Sequence, residues 1–415
     1  MKHYYYTILL LMITLSASAQ QMDTLFLKNL LESHPELFSH ILNHPTHNEV
    51  QILYTQIDRD ENNIPHFTSY SYRLDANHYF YPASTVKLPT SIFALEKINE
   101  LHIPGLTKKT VMKTDSSFVG ETKMLEDTTS SNGLPSVENY IKQVLLVSDN
   151  CAYNRLYEFV GRAGINDKLK KYNLNHTRII GRLAIYDGGE EAKHTNAIDF
   201  YKGKKLTYHQ PAQYDSRDYP LNLENMLQGK GYLDRNDKLV MKPFDFSEKN
   251  VYTVADQQMV LKRLLFPETF PKEQQFNLTK DDYKFIYRYM SMFPIESLKP
   301  TYNRPDYYPA FCKYLFYGND SLAVINPNIR IFNKIGDSYG YVIDNAYIVD
   351  FKHKVEFILT AVVQSNDNQI YNDNKYEYKT VCQPFMKNLG QVVYQYELKR
   401  SKKYLPDLSK FKFHY

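Results

Sequence analysis

The sequence predicts an α/β fold in which one antiparallel sheet is built from both ends of the chain and a mainly helical region is inserted between them. Three observations carry this reading. Residues 49–58 (EVQILYTQID) and 66–75 (HFTSYSYRLD) are β-branched and aromatic with partial alternation, and the turn-rich RDENNIP separates them, so they read as a hairpin. Three further strand-like segments, IRIFNKIG, GYVIDNAYIVD and KVEFILTAVVQ, follow one another over 329–364 with short polar turns between them. Between these two groups, wherever the chain is regular its apolar period is helical. Strands at the two ends with helices between imply a shared sheet and a helical subdomain over about residues 84–325.

The elements follow in order. MKHYYYTILLLMITLSASAQ has a basic Lys2, an apolar run from Ile8 to Leu15 and a small-residue site at Ala17-Ser18-Ala19. This pattern predicts a secretory signal over residues 1–19 and a mature chain, read as a single catalytic domain, over 20–415. The apolar run falls short of the roughly 20 residues needed to span a bilayer, and no Cys follows the cleavage site to carry a lipid. The expected location is the periplasm or the medium, with no membrane span in the mature chain. Phe26, Leu30, Leu31, Leu37, Phe38, Ile41 and Leu42 have mostly helical spacing, interrupted near Pro35. Pro82 precedes a helical run from Ala83 in which Ile92, Leu95 and Ile98 share a face. SVENYIKQVLLV and CAYNRLYEFVG, closed by Gly161, predict two more helices. In VYTVADQQMVLKRLLF, Thr253 with Asp256 forms a cap, and Val254, Leu261 and Leu265 line one face. Residues 200–250 are rich in Tyr, Gly, Pro and Asp without a sustained period and read as a surface excursion. TVCQPFMKNLGQVVYQYEL predicts a closing helix.

Composition narrows the function classes. A formal charge of +4 with Lys and Arg interspersed among acids forms no basic stripe, which argues against a nucleic-acid partner. Cys151, Cys312 and Cys382 are too few for a disulfide framework or a thiolate metal site. They read as small buried residues, with one bridged pair as the alternative. His and acidic residues show no ligand spacing such as His-Glu-x-x-His, so no metal and no cofactor is expected.

Three short motifs carry chemistry: Ser84-Thr85-Val86-Lys87, Ser148-Asp149-Asn150 and Lys334-Ile335-Gly336. Ser-x-x-Lys alone is weak, since about one or two copies arise by chance at ordinary residue frequencies. Ser409 to Lys412 is such a copy. Ser84 differs in context: a hairpin before it, a helix starting at it, and two partner motifs downstream in order. A serine hydroxyl needs a base to become nucleophilic, and spacing i to i+3 on a helix puts Lys87 on the face of Ser84. Lysine can act as that base only if desolvation or a neighbouring cation such as Lys334 lowers its pKa. A helix beginning at the nucleophile also aims free N–H groups at a developing oxyanion. Each partner motif taken singly has a plainer explanation. Ser148-Asp149-Asn150 could be a helix cap and Lys334 a strand-edge charge.

Together and in this order, the motifs resemble those of class A β-lactamases and penicillin-binding proteins. The resemblance covers most of the mature chain and implies a β-lactamase-like fold and acyl transfer through a Ser84 ester. It implies that Ser148 relays a proton to the departing nitrogen, Asn150 binds the substrate amide, and Lys334 adds positive charge beside a substrate carboxylate. The residue after Gly336, Asp337, would supply the second oxyanion N–H. The implied function is hydrolysis of a small-molecule β-lactam. The alternatives are a D-alanyl-D-alanine peptidase acting on cell-wall peptides and a binding protein without turnover. The sequence departs from the family pattern in three places. Ile335 replaces the usual Thr or Ser and removes a hydroxyl that would bind the substrate carboxylate. The interval from Ser148 to Lys334 is several tens of residues longer than usual. The family's glutamate for the deacylating water lies in an Arg-x-Glu segment with Asn four residues on. Here Arg182 to Asn196 offers Glu191 one residue out of register, with Glu190 adjacent.

Overall fold

The computed structural model describes residues 23–116, 122–185 and 189–415, so the stretch read as an export signal lies outside it. Two short helices come first, α1 (Leu25–Glu32) and α2 (Pro35–Leu42). Proline lacks an N–H and suits a helix's first turn, so Pro35 ends one helix and opens the next. Strands β1 (Gln51–Arg59) and β2 (Pro65–Tyr72) form the expected hairpin. A single 3₁₀ turn, Ala83–Val86, then feeds α3 (Lys87–Leu101). After β3 (Val111–Thr114) come α4 (Val137–Val147), α5 (Asn150–Val160) and α6 (Arg162–Lys171). Strands β4 (Ile198–Lys202) and β5 (Lys205–Gln210) precede α7 (Val254–Leu265) and α8 (Lys280–Ser291). The chain closes with β6 (Ile329–Ser338), β7 (Tyr341–Asp350), β8 (Val355–Gln364) and α9 (Gln383–Lys399).

The main sheet runs β6-β7-β8-β1-β2 and is antiparallel throughout. Its first and last segments meet where β1 pairs with β8, Ile52 opposite Ala361 and Tyr54 opposite Leu359. Both faces are covered, and the period of two along each strand divides the side chains between two cores. In β8, Val355, Phe357, Leu359, Ala361 and Val363 join a core with α1, α2 and α9, while Ile358 and Val362 join the larger core with α3 and α7. Among the described residues no helix is long and apolar enough to cross a membrane.

Thr253 and Gly161 set helix ends as the sequence suggests, and Ser136 adds a cap the sequence reading did not name. Thr253 accepts the Asp256 N–H at the start of α7, Ser136 accepts the Asn139 N–H at the start of α4, and Gly161 terminates α5 with φ 83°.

The middle region is not helical wherever it is regular. Strands β3, β4 and β5 form a small antiparallel sheet, with Ile198 and Phe200 buried beneath it. Segments this short give too few alternations to register as strands. Residues 200–250 are likewise tied down at scattered points, among them Gln210, which accepts from Lys97 at 2.7 Å, and Asp215, which accepts from Arg162 at 3.3 Å. Phe246 is fully buried beside Tyr79, Phe244, Tyr339 and Tyr371, and Gly231–Tyr232 pair in parallel with Ile370–Tyr371. One aromatic anchor holds a stretch to the core without leaving any period in it. The three cysteines are free. Cys312 and Cys382 are buried, but Cys151 is exposed at the start of α5, against the expectation that all three are buried.

Candidate active site

Ser84 lies half-buried in the 3₁₀ turn that leads into α3. Pro82 O anchors that turn by accepting the Thr85 N–H at 3.2 Å and the Thr85 hydroxyl at 2.7 Å. Strand β6 runs against it so closely that a Cβ on Gly336 would sit 2.8 Å from Pro82 O and 2.8 Å from Ser84 N. Any side chain at 336 would drive two backbones apart, so glycine is required there by contact.

The second motif sits at the junction of two helices. Ser148 ends α4 in a left-handed conformation (φ 61°), and Asp149 caps α5 by accepting the Ala152 N–H at 2.8 Å. The middle residue thus does the capping, which frees the outer two to face the cleft. Lys87 Nζ, on the first turn of α3, donates to the Ser148 carbonyl, to Asn150 Oδ1 at 2.6 Å and to Ser148 Oγ at 3.3 Å. Because an ammonium only donates, Oδ1 of Asn150 faces the lysine and its Nδ2 is turned away from it. Lys334 Nζ donates to the same Ser148 hydroxyl at 2.8 Å and to Ile335 O at 2.9 Å. Two lysines therefore converge on one hydroxyl.

Both lysines are buried, and every hydrogen-bond partner they have is a neutral oxygen. Burial, followed by the repulsion of Lys334, pushes Lys87 well below the usual lysine range. Burial brings Lys334 down to about 8. For Lys87 the consequence is specific. The Ser148 carbonyl and Asn150 Oδ1 can only accept, so a neutral Lys87 spends both N–H groups on them and leaves its lone pair for the Ser148 hydroxyl 3.3 Å away.

These groups border a cavity of about 420 Å³. Ser84, Ser148, Asn150, Ile335 and Asp337 line it, with Lys87 and Lys334 behind the wall. The other wall contains residues without a sequence signal: Leu183 and Ala184 from one loop, and Phe311, Cys312 and Tyr314 from another. Irregular segments carry no period, so only the folded chain could place them. A larger cavity, about 680 Å³, is lined by none of the motif residues.

Glu191 is not brought to this cleft. It is exposed, at the start of a short 3₁₀ turn, and does not line the cavity. The segment that carries it is pinned at its neck by the buried Glu158 of α5, which accepts from Arg182 at 3.2 Å and from Asn196 at 3.3 Å. Arg182 also reaches the Glu191 carbonyl at 3.0 Å. Residues 186–188 of the segment lie outside the described chain. The sequence reading missed Glu158, whose only signal is its i, i+3 spacing from Arg155, with which it pairs at 2.9 Å.

Among solved structures, the chain is similar to one described as PBP-A, at 15% identity and a TM-score of 0.49, covering 89% of this chain and 96% of that one. It is also similar to a β-lactamase from Sphaerobacter thermophilus (12% identity, TM-score 0.47, 86% and 94% covered). A class A β-lactamase from Clostridium kluyveri is a third (13% identity, TM-score 0.48, 89% and 98% covered). No curated protein sequence matches. Residues 39–291, more than half of the chain, match the family described as the beta-lactamase enzyme family, a span that includes Ser84 and Ser148 and stops short of Lys334. The chain belongs to that β-lactamase enzyme family.

Proposed function

We propose that the protein is a serine hydrolase that works through an acyl-Ser84 intermediate, with β-lactams as its substrates. The observation that carries this reading is the buried Lys87 beside the Ser84 turn, held by two obligate acceptors and by no carboxylate. Lys87, neutral in the resting site, takes the Ser84 proton as Oγ attacks the carbonyl carbon. The N–H groups of Ser84 and Asp337, brought together by the close approach at Gly336, hold the oxyanion. Ser148, with Lys334 donating to its oxygen at 2.8 Å, keeps its own proton to pass to the departing nitrogen. Asn150 Nδ2 orients the substrate amide. The export signal read at residues 1–19 would put this reaction outside the cytoplasm.

A second reading has one observation in its favour. Glu191 stands outside the cleft, and among the described residues of its segment no carboxylate lines the cavity, so Lys87 stands as the candidate base for that step. That arrangement suits a D-alanyl-D-alanine peptidase or a protein that stays acylated. Mass spectrometry of the intact protein over time, with penicillin and with a D-Ala-D-Ala peptide, separates the three. An adduct on Ser84 that forms and decays with penicillin is the expected result. A persistent adduct means a trap, peptide cleavage means a peptidase, and no adduct with either compound removes the proposal.

A further inference from the structure

The cleft beside Ser84 has a carboxylate on its lining and its two lysines buried behind the wall. Among the described residues, its lining contains one carboxylate, Asp337, and no Lys, Arg or His. Asp337 directly follows Gly336, whose Cβ position would fall 2.8 Å from Ser84 N, and consecutive Cα atoms are about 3.8 Å apart. Its side chain therefore stands within one residue of the point where the acyl carbonyl must sit. It is exposed to the cleft; desolvation raises its pKa, while the Tyr314 hydroxyl that hydrogen-bonds it and the charges of Lys334 and Lys87 act to keep it ionised. Lys334, the cation that could answer a substrate carboxylate, is buried behind the wall with two of its three N–H groups committed to Ser148 Oγ and Ile335 O. Asp337 also stands near enough to act on the charge of Lys334. The neighbouring Ile335 offers hydrocarbon where a hydroxyl would be needed, and it too lines the cavity.

We propose that Asp337, with Ile335, makes this cleft disfavour a carboxylate beside the scissile bond, so that among β-lactams those neutral or cationic on that flank acylate Ser84 faster than the free acids. The inference rests on the acyl-Ser84 reading and names the substrate class for it. A carboxylate there would meet a like charge across a partly desolvated gap, a juxtaposition that interfaces use to reject wrong partners. A neutral group meets only Ile335, Tyr314 and the hydrogen-bonding capacity of Asp337. A cationic group gains the attraction.

The test compares benzylpenicillin with its methyl ester, which differ only in that charge, by the initial rate of adduct formation on Ser84. In the wild-type protein the ester should acylate about tenfold faster or more, and in Asp337→Asn the acid-to-ester rate ratio should rise by a similar factor. The ratio is the readout, so a general loss of activity in the variant leaves the comparison intact. A wild-type preference for the free acid, or a ratio that Asp337→Asn does not move, overturns the inference. An uncharged fluorophosphonate distinguishes the two levels of failure. If it labels Ser84 while the free acid is preferred, only the substrate class is wrong; if neither it nor either lactam labels Ser84, the acyl-serine reading falls as well.

Discussion

Two regions flank the same cleft and are built in opposite ways. The Ser84 and Ser148 motifs occupy helix ends and the Lys334 motif lies within strand β6, and packing leaves them little freedom: Lys87 and Lys334 are buried, Gly336 touches the Ser84 turn, and Asp149 caps α5. The Arg182–Asn196 segment is held at its neck by Glu158 and lends Leu183 and Ala184 to the cleft wall, while its Glu190 and Glu191 are exposed. Groups placed by element ends keep their geometry at the cost of variety. A group carried on a tethered loop can be in or out of register by a residue, and its distance from the reaction is set by the loop. In the proposed mechanism, acylation depends on the first region, while deacylation assisted by Glu190 or Glu191 would need the second to change.

The largest effects should come from the rigid region. Ser84→Ala should abolish labelling by a fluorescent penicillin while Ser409→Ala retains it, although both serines begin a Ser-x-x-Lys. Label kept in Ser84→Ala would break the comparison at its root. Lys87→Ala should lower the acylation rate on the order of 100 to 10,000 fold, the range for removal of a general base. A loss below about tenfold would assign the proton to another group.

The same pair of lysines predicts the pH profile. Lys87 acts as a base when neutral, so acylation should rise as pH climbs through its depressed pKa. Lys334 loses its proton as pH rises through about 8, so any step that needs its charge should fall above that value. A guanidinium keeps its charge across this range, so Lys334→Arg should shift or remove the alkaline fall in kcat/KM, even with a lower overall rate. An alkaline limb that stays put in Lys334→Arg would take Lys334 out of the profile.

Gly336→Ala probes contact without changing charge. Its new Cβ would meet two backbone atoms at 2.8 Å, so the strand and turn must part, costing about 1–3 kcal/mol of stability and slowing acylation. Thermal unfolding beside adduct formation measures both, and an unchanged acylation rate would show that the close approach does not position Ser84. The smallest effect belongs to the loop. Glu191→Gln and Glu190→Gln should both deacylate within about twofold of the wild type, as expected of carboxylates outside the cleft. Acyl-enzyme accumulating in Glu191→Gln alone would show that the segment closes onto the cleft during turnover.

Much of this arrangement is written locally in the chain. Thr253 and Gly161 mark helix ends because capping and left-handed termination depend on the residue itself. Pro35 breaks the first helix for a similarly local reason, and the three strands of 329–364 show their β-branched composition directly. The order of the three motifs, and the family likeness it implies, is also legible without coordinates. Tertiary structure decided what depends on partners distant in sequence. It showed that Lys87 and Lys334 share the Ser148 hydroxyl, and that 200–250 is held by Phe246. It also left Cys151 outside the core, and Glu191 outside the cleft that Asp337 enters. Periodicity reports which face of an element is apolar but carries no information about which loop will lie opposite. Close backbone approaches, shared hydrogen-bond acceptors and the charge of a cleft arise only when segments separated by tens to hundreds of residues are packed together.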